Sequence, residues 1–120
     1  TLNQNVQKLR RNLIALLKSL KQRGYRIAAY GAPAKGMILL NYFKMTRYID
    51  FIVDKSTVKQ GLYAPGIHML IESPLQIYQR NPDYLIILCW NIAEEVMAEY
   101  GKYSSQGGKF ILPIPKIMII

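Results

Sequence analysis

Short apolar runs alternate with helix-forming segments along most of this 120-residue chain. An order of this kind builds a parallel sheet, because each strand reaches the next through a right-handed crossover helix that packs on one face of the sheet. We therefore predict an α/β fold, a Rossmann-like three-layer sandwich with a five-stranded, mainly parallel sheet in the order 3-2-1-4-5. The predicted strands are residues 26–30, 48–53, 67–71, 84–89 and 110–112.

The segment before the first strand has the pattern of an amphipathic helix. Leu9, Leu13 and Leu20 fall on one apolar stripe. Lys18 falls outside that stripe, and Gly24 is placed to end the helix. We expect this helix to cover one face of the sheet. A chain of 120 residues is long enough for one such domain and too short for two, so residues 1–120 are expected to form a single Rossmann-like domain.

The turn Gly31-Ala32-Pro33-Ala34-Lys35-Gly36 joins the first predicted strand to a helix expected over residues 36–45. In the predicted order the sheet reverses beside this strand, and open α/β sheets bind ligands at such a reversal. Free N–H groups at the helix N-terminus, with Lys35 near them, are suited to an anion. The turn lacks the middle glycine of the G-x-G-x-x-G pattern and Pro33 removes a donor, so tight NAD binding is not expected. The alternative is a turn that needs glycine for its backbone geometry alone.

Further candidate residues follow the second strand. Asp54 ends it, at the position where Rossmann domains keep an acid for ribose hydroxyls, although a surface ion pair with Lys55 fits the pattern equally well. The loop over residues 55–66 contains Lys59, Gln60 and Tyr63. This loop suits a phosphorylated or sugar-like ligand, or it is an ordinary polar loop.

Trp90 and Asn91 follow the fourth strand. Trp90 could stack on a base or sugar ring or cover the core, and Asn91 is placed as the N-cap of a helix, with Glu94 three residues later. His68 is the chain's one histidine, and the sequence gives it no partner for general base catalysis, so a structural role fits it better. Paired carboxylates, metal-ligand spacing and a nucleophile–base pair are absent from the sequence. The pattern predicts a binding domain without a reaction centre.

The charge and the cysteine content limit the classes of partner and the cellular compartment that we expect. The net charge is +9, and the first 49 residues hold ten Lys and Arg and no acid. Nucleic acid is nevertheless not favoured, because no known nucleic-acid-binding motif is present. The alternative is a non-enzymatic basic α/β module that binds an anionic polymer or nucleotide. A membrane is not expected as a partner, since no apolar stretch approaches about 20 residues. Cys89 is the single cysteine, so no internal disulfide can form; we expect a small core residue in a protein of the reducing cytoplasm.

Four stretches resemble, in the same order, the C-terminal domain of S-adenosylmethionine-dependent sugar C-methyltransferases. They are AYGAPAKG with LLNY in residues 29–42, IVDKS with KQGLYAPGIH in residues 52–68, PDY with WNIAEE in residues 82–95, and GGKFILPIP in residues 107–115. Each stretch alone is weakly specific, but together they extend over nearly the whole chain.

The resemblance implies that the chain is the C-terminal domain of a longer methyltransferase that methylates a ring carbon of a nucleotide-linked keto-sugar. A preceding domain of the parent chain would bind S-adenosylmethionine and supply the catalytic base. The present chain would then bind substrate, contact the methyl-donor-binding domain, and be non-catalytic in isolation, with no catalytic residue, cofactor or metal of its own. The substrate-binding positions that the resemblance implies are Gly31, Ala32, Pro33, Lys35, Gly36, Asn41, Asp54, Lys55, Ser56, Lys59, Gln60, Tyr63, His68, Trp90 and Asn91.

Overall fold

The computed structural model describes residues 2–64 and 66–120. The helices are α1 (Leu2–Gln22), α2 (Ala34–Phe43), α3 (Leu75–Arg80), α4 (Ala93–Glu99) and α5 (Gly101–Ser105). The strands are β1 (Ile27–Tyr30), β2 (Phe51–Val53), β3 (Ile71–Glu72), β4 (Tyr84–Ile87), β5 (Lys109–Leu112) and β6 (Met118–Ile119). Two short 3₁₀ turns, Thr46–Tyr48 and Trp90–Ile92, precede β2 and α4.

The sheet has the order β3-β2-β1-β4-β5-β6. The first five strands of this order are parallel, which confirms the predicted α/β class and the predicted order 3-2-1-4-5. A sixth strand, β6, pairs antiparallel with β5 and was not among the predicted strands. The order reverses between β1 and β4, so the turns that follow these two strands lie at the same edge of the sheet.

Helices cover both faces of the sheet. Successive side chains of a strand point to opposite faces, so each strand contributes to the core on both sides. Ile27 and Ala29 of β1 belong to a core that also contains Leu17 of α1 and residues of α2. Tyr30 belongs to the opposite core, which α3, α4 and α5 complete, with Val96 of α4 among its members. As predicted, α1 is a covering helix, and Gly24 (φ +86°) ends it. No helix in the described part of the chain is long and apolar enough to cross a membrane.

Aspartate side chains hold the amino end of β1, which lies at the centre of the sheet. Asp50, just before β2, accepts a hydrogen bond from the backbone N–H of Ile27 (2.8 Å) and from Lys21 Nζ (2.7 Å). Asp83, just before β4, accepts one from the backbone N–H of Arg26 (2.7 Å). The two carboxylates therefore continue, on either side of β1, the hydrogen bonding that the sheet provides further along the strand.

Two local predictions are wrong in detail. The third strand was expected over residues 67–71, but Ala64 N–H donates to the Met69 carbonyl (2.8 Å) and closes a turn, so that only Ile71–Glu72 reaches β2. Asn91 was expected to cap a helix, but it lies exposed within the Trp90–Ile92 turn, and α4 begins at Ala93 with no side-chain cap. The N-cap interpretation of Asn91 is therefore incorrect.

Candidate functional site

Asp54 joins the two loops at the carboxyl edge of the sheet. Its Oδ2 accepts a hydrogen bond from the backbone N–H of Ala32 (2.9 Å), in the turn after β1. Its Oδ1 accepts one from the backbone N–H of Ser56 (2.8 Å), in the loop after β2. The side chain is only 13% exposed. Both carboxylate oxygens thus serve the protein's own backbone, and the carboxylate holds the two loops at a fixed separation.

Two glycines allow a close approach of backbone and side chains at this edge. Gly31 has φ +92° and donates its N–H to the Val53 carbonyl (2.7 Å), and a Cβ there would lie 3.1 Å from Cys89 Sγ. A Cβ on Gly36 would lie 2.8 Å from Leu88 Cβ and 3.1 Å from the Leu88 carbonyl oxygen. Gly36 therefore lets the first turn of α2 pack directly against the end of β4, as the last glycine of a dinucleotide-binding turn does.

The turn and the loop enclose a cleft of about 590 Å³ beside α2, which we call the Lys59 cleft. Its lining residues are Ala32, Ala34, Met37, Ile38, Asn41, Lys59 and Gly66. Lys59 is the only charged residue of this set; its Nζ donates to the Ala32 carbonyl (3.3 Å) and lies 3.7 Å from Asp54 Oδ2. The cleft combines small apolar surfaces with one ammonium group that backbone and carboxylate oxygens orient.

A second cleft continues along the same side of α2. It has a volume of about 460 Å³ and is called here the Arg47 cleft. Its lining residues are Asn41, Lys44, Thr46, Arg47, Gly66, Ile67, His68 and Met69. Asn41 and Gly66 line both clefts, so the structure brings the sequence-predicted residues Asn41, Lys59 and His68 to two adjoining clefts.

Lys35 and Trp90 lie on another side of α2. They line a groove of about 300 Å³, called here the Trp90 groove, between α1, α2 and the segment before β6. Its other lining residues are Val6, Leu9, Ile38, Leu39, Tyr42, Phe43 and Ile114. Ile38 lies on the ridge between this groove and the Lys59 cleft, since it lines both. The structure therefore separates Lys35 from Lys59, although the sequence placed both near the same turn.

The remaining predicted positions have separate surroundings. Gln60 donates from Nε2 to the Asp54 carbonyl (2.9 Å) and thereby folds the loop back on β2. Lys55 was considered as the partner of Asp54, but its Nζ lies 3.6 Å from Glu99 of α4, with both side chains largely exposed. Tyr63 is 65% exposed. Pro33 precedes α2 in extended conformation (φ −72°, ψ 156°) and directs the chain into the helix.

Buried titratable groups near this edge have structural roles. Burial raises the pKa of the Cys89 thiol, so the thiol stays protonated at neutral pH and lacks the thiolate that a nucleophile needs. Burial also raises the pKa of Tyr30 and of Tyr100, whose hydroxyls lie 3.5 Å apart. Within residues 2–64 and 66–120, no group of three or more His, Cys, Asp or Glu side chains is placed to hold a metal ion.

Sequence reasoning missed Lys44 and Arg47, which contribute most of the positive charge of the Arg47 cleft. The signal that could have identified them is the run of ten Lys and Arg without an acid in the first 49 residues, to which both belong. Sequence reasoning also gave no role to Ile38, which is 66% exposed between two clefts.

Comparison with known proteins adds a family to this geometry. The family described as C-methyltransferase C-terminal domain matches residues 1–115. The C-methyltransferase NovU of Streptomyces niveus is 35% identical over 115 residues, which are 95% of this chain and 27% of that protein. The chain thus spans about a quarter of the length of this curated relative.

Proposed function

The chain belongs to the C-methyltransferase C-terminal domain family, and from that premise we propose that it is the substrate-binding part of a longer methyltransferase. The proposed substrate is a nucleotide-linked sugar, methylated on a ring carbon. We assign the binding of S-adenosylmethionine, the methyl donor, and the catalytic base to a part of the enzyme outside this chain. Residues 1–120 then form its C-terminal domain, which binds and orients the substrate but does not catalyse methyl transfer alone.

The Lys59 cleft is the observation that carries this proposal. Alanine and methionine side chains give it apolar walls on which the carbon face of a sugar ring can pack, and Asn41 and Lys59 provide polar groups. Lys59 is oriented before any ligand arrives, because the Ala32 carbonyl and the Asp54 carboxylate both lie within 4 Å of its Nζ. An oriented ammonium group loses less side-chain entropy on binding an anionic or carbonyl oxygen than a free one.

We assign different roles to the predicted site residues according to where they lie. Ala32, Asn41 and Lys59 line the cleft, and we assign to them direct contact with the substrate. A second set positions this lining without facing the cleft; its members are Gly31, Pro33, Gly36, Asp54, Ser56 and Gln60. Lys35 and Trp90 of the Trp90 groove remain candidates for contact with a more distant part of the substrate or with the methyl-donor-binding domain.

We propose a cytoplasmic location for the protein. Cys89 is the chain's one cysteine, so the chain cannot form an internal disulfide of the kind that secreted domains use for stability. Its thiol is half-buried beside Gly31, which agrees with the reducing compartment expected for a free thiol.

The test is a titration of the chain with a panel of nucleotide-linked sugars, followed by isothermal calorimetry on two lysine variants. Lys59→Gln removes the ammonium group from the cleft, and we expect it to weaken affinity about tenfold or more, the value of one charge-assisted hydrogen bond. Lys102→Gln is the matched control, because Lys102 is an exposed lysine of α5, on the opposite face of the sheet from α2. We expect this control to bind within about twofold of the unmodified chain.

Equal losses in the two variants would show that the effect is a general change of surface charge and would contradict the assignment of Lys59. Binding of no member of the panel would contradict the substrate class. A separate titration tests the division of labour: S-adenosylmethionine alone should not raise the melting temperature of this chain. A clear upward shift would place the methyl donor here and overturn that part of the proposal.

A further inference from the structure

We infer that the Arg47 cleft is a binding site for a phosphate or diphosphate group. It extends the proposed function, since the natural source of that group would be the diphosphate of the nucleotide-linked sugar. Its lining comes from residues 41–47 and 66–69, and neither stretch contains an acid. The charged and titratable side chains that line it are Lys44, Arg47 and His68.

The two permanent cations of the cleft have no acidic partner. Within residues 2–64 and 66–120, neither Lys44 nor Arg47 forms an ion pair, and Arg47 only lies over the Tyr48 ring at 5.7 Å. Among the described residues, the basic side chains that do form ion pairs are Lys21, Lys55, Lys59 and Arg80. What distinguishes Lys44 and Arg47 from the other unpaired cations is that both line one cleft whose lining residues include no acid. Positive charge that the protein does not neutralise itself is available to an anionic ligand.

The backbone at Lys44 supports a functional reason for its side chain. Lys44 is the C-cap of α2 with φ 55° and ψ 42°, the left-handed conformation in which helices usually place glycine. A side chain with a Cβ is strained there, so a lysine at this position costs stability. Attraction to the negative end of the helix dipole offsets part of that cost for one cation. The helix dipole does not account for Arg47 and His68, which line the same cleft from the following turn and from the facing loop.

The Arg47 cleft and the Lys59 cleft have the right arrangement for the two ends of one ligand. Asn41 and Gly66 line both, so the two clefts adjoin, and they lie beside α2, whose ten residues span about 15 Å. Gly66 has φ +77°, and a Cβ there would lie 2.8 Å from Asn41 Nδ2, so glycine lets the facing loop pack against Asn41 where the two clefts meet. A sugar ring in the Lys59 cleft and a diphosphate in the Arg47 cleft would therefore occupy adjoining clefts.

The experiment is an amide NMR titration of the chain with inorganic pyrophosphate. We expect saturable shifts at Lys44, Arg47 and His68. Arg47→Gln should weaken binding about tenfold or more, as expected for loss of a charge-assisted bidentate contact. Arg23→Gln is the matched control, because Arg23 is also an exposed arginine stacked on a neighbouring tyrosine (5.4 Å to the Tyr25 ring), and it should leave affinity within about twofold.

A second variant keeps the inference testable if Arg47→Gln folds poorly. Lys44→Gly relieves the left-handed backbone strain, so it should raise the melting temperature while it weakens pyrophosphate binding. A stabilised variant that binds pyrophosphate as well as the unmodified chain would overturn the role of Lys44. Absence of saturable shifts at the Arg47 cleft, or equal losses for Arg47→Gln and Arg23→Gln, would overturn the site.

Three further ligands separate this inference from the proposed function. If pyrophosphate and a nucleoside diphosphate shift the Arg47 cleft but no nucleotide-linked sugar does, the anion site stands and the proposed substrate fails. If a nucleotide-linked sugar shifts the Lys59 cleft and leaves Lys44 and Arg47 unperturbed, the proposed function stands and the anion site fails. A short DNA duplex that displaces pyrophosphate with affinity rising with duplex length would show a nucleic-acid surface and refute a phosphate site of this size.

Discussion

Replacing Asp54 by asparagine should destabilise the protein strongly, although the side chain keeps its shape. The carboxylate accepts two backbone hydrogen bonds, from Ala32 (2.9 Å) and Ser56 (2.8 Å), and lies 3.7 Å from Lys59 Nζ. The amide has one acceptor oxygen, so it can keep only one of the two bonds, and its NH₂ group then faces the other N–H donor. One charge-assisted bond and one buried N–H partner are lost, which together cost about 2–3 kcal/mol.

Thermal unfolding measures this cost. Unfolding entropy of about 2.1 cal/mol/K per residue over 120 residues corresponds to about 4 °C for each kcal/mol, so Asp54→Asn should lower the melting temperature by about 8–12 °C. Asp83→Asn is the control, because Asp83 accepts a single backbone bond, from Arg26 (2.7 Å), which an amide oxygen can retain. We expect a loss below about 4 °C there. Equal losses for the two variants would refute the argument that the number of backbone donors on the carboxylate sets the cost.

Four substitutions, one of them followed as a function of pH, test other parts of the structure. Gly36→Ala should lower the free energy of unfolding by about 1–2 kcal/mol in chemical denaturation, because the new Cβ would overlap fully buried Leu88. Gly101→Ala is the control and should be neutral or stabilising, because a Cβ at Gly101 would have nothing within 4 Å. A larger loss of stability for Gly101→Ala than for Gly36→Ala would contradict the close approach of α2 to β4. Lys44→Gly should raise the melting temperature by about 4 °C, and a decrease would show that Lys44 stabilises the cap. Burial raises the pKa of Tyr103, so the stability that its neutral hydroxyl contributes is complete below about pH 10 and is lost as the pH rises through the folded-state pKa. Tyr103→Phe should therefore reduce the fall in unfolding free energy that urea melts measure above about pH 10. An unchanged dependence of that free energy on pH would refute this role of Tyr103.

The sheet could be predicted because each buried strand has a local signature. Apolar runs such as that of β4 read as strands without knowledge of their neighbours. The same signal failed at residues 67–70, where a mostly apolar run bends because Ala64 N–H donates to the Met69 carbonyl. It also failed at β6, since its two residues are apolar on an exposed edge and only their pairing with β5 makes them a strand.

The general arrangement of the candidate site could be predicted from the sequence, but its detail could not. The rule that ligands bind beyond the carboxyl ends of strands places Asp54 and the turn after β1 at one edge, and the 2.9 Å hydrogen bond from Ala32 N–H agrees with that placement. Sequence alone could not tell on which side of α2 each side chain lies. Lys35 and Lys59 are therefore both near the turn but line different grooves, because that side depends on how α2 packs against the sheet and α1.

The aspartates that accept backbone hydrogen bonds from β1 and its flanking residues also affect how charge is distributed over the protein surface. The carboxylates of Asp50, Asp54 and Asp83 accept hydrogen bonds from backbone N–H groups, and the two glutamates at positions 72 and 99 are paired with cations. Within residues 2–64 and 66–120, Glu94 and Glu95 on α4 are the acids with neither an ion pair nor a hydrogen bond from a backbone N–H, whereas α1 and α2 lie on the opposite face within the acid-free stretch. The molecule therefore has a strong electrical asymmetry. At low ionic strength an anion is drawn towards the α1 and α2 face before any contact forms, so the excess positive charge acts mainly on the rate of encounter and on the orientation of approach.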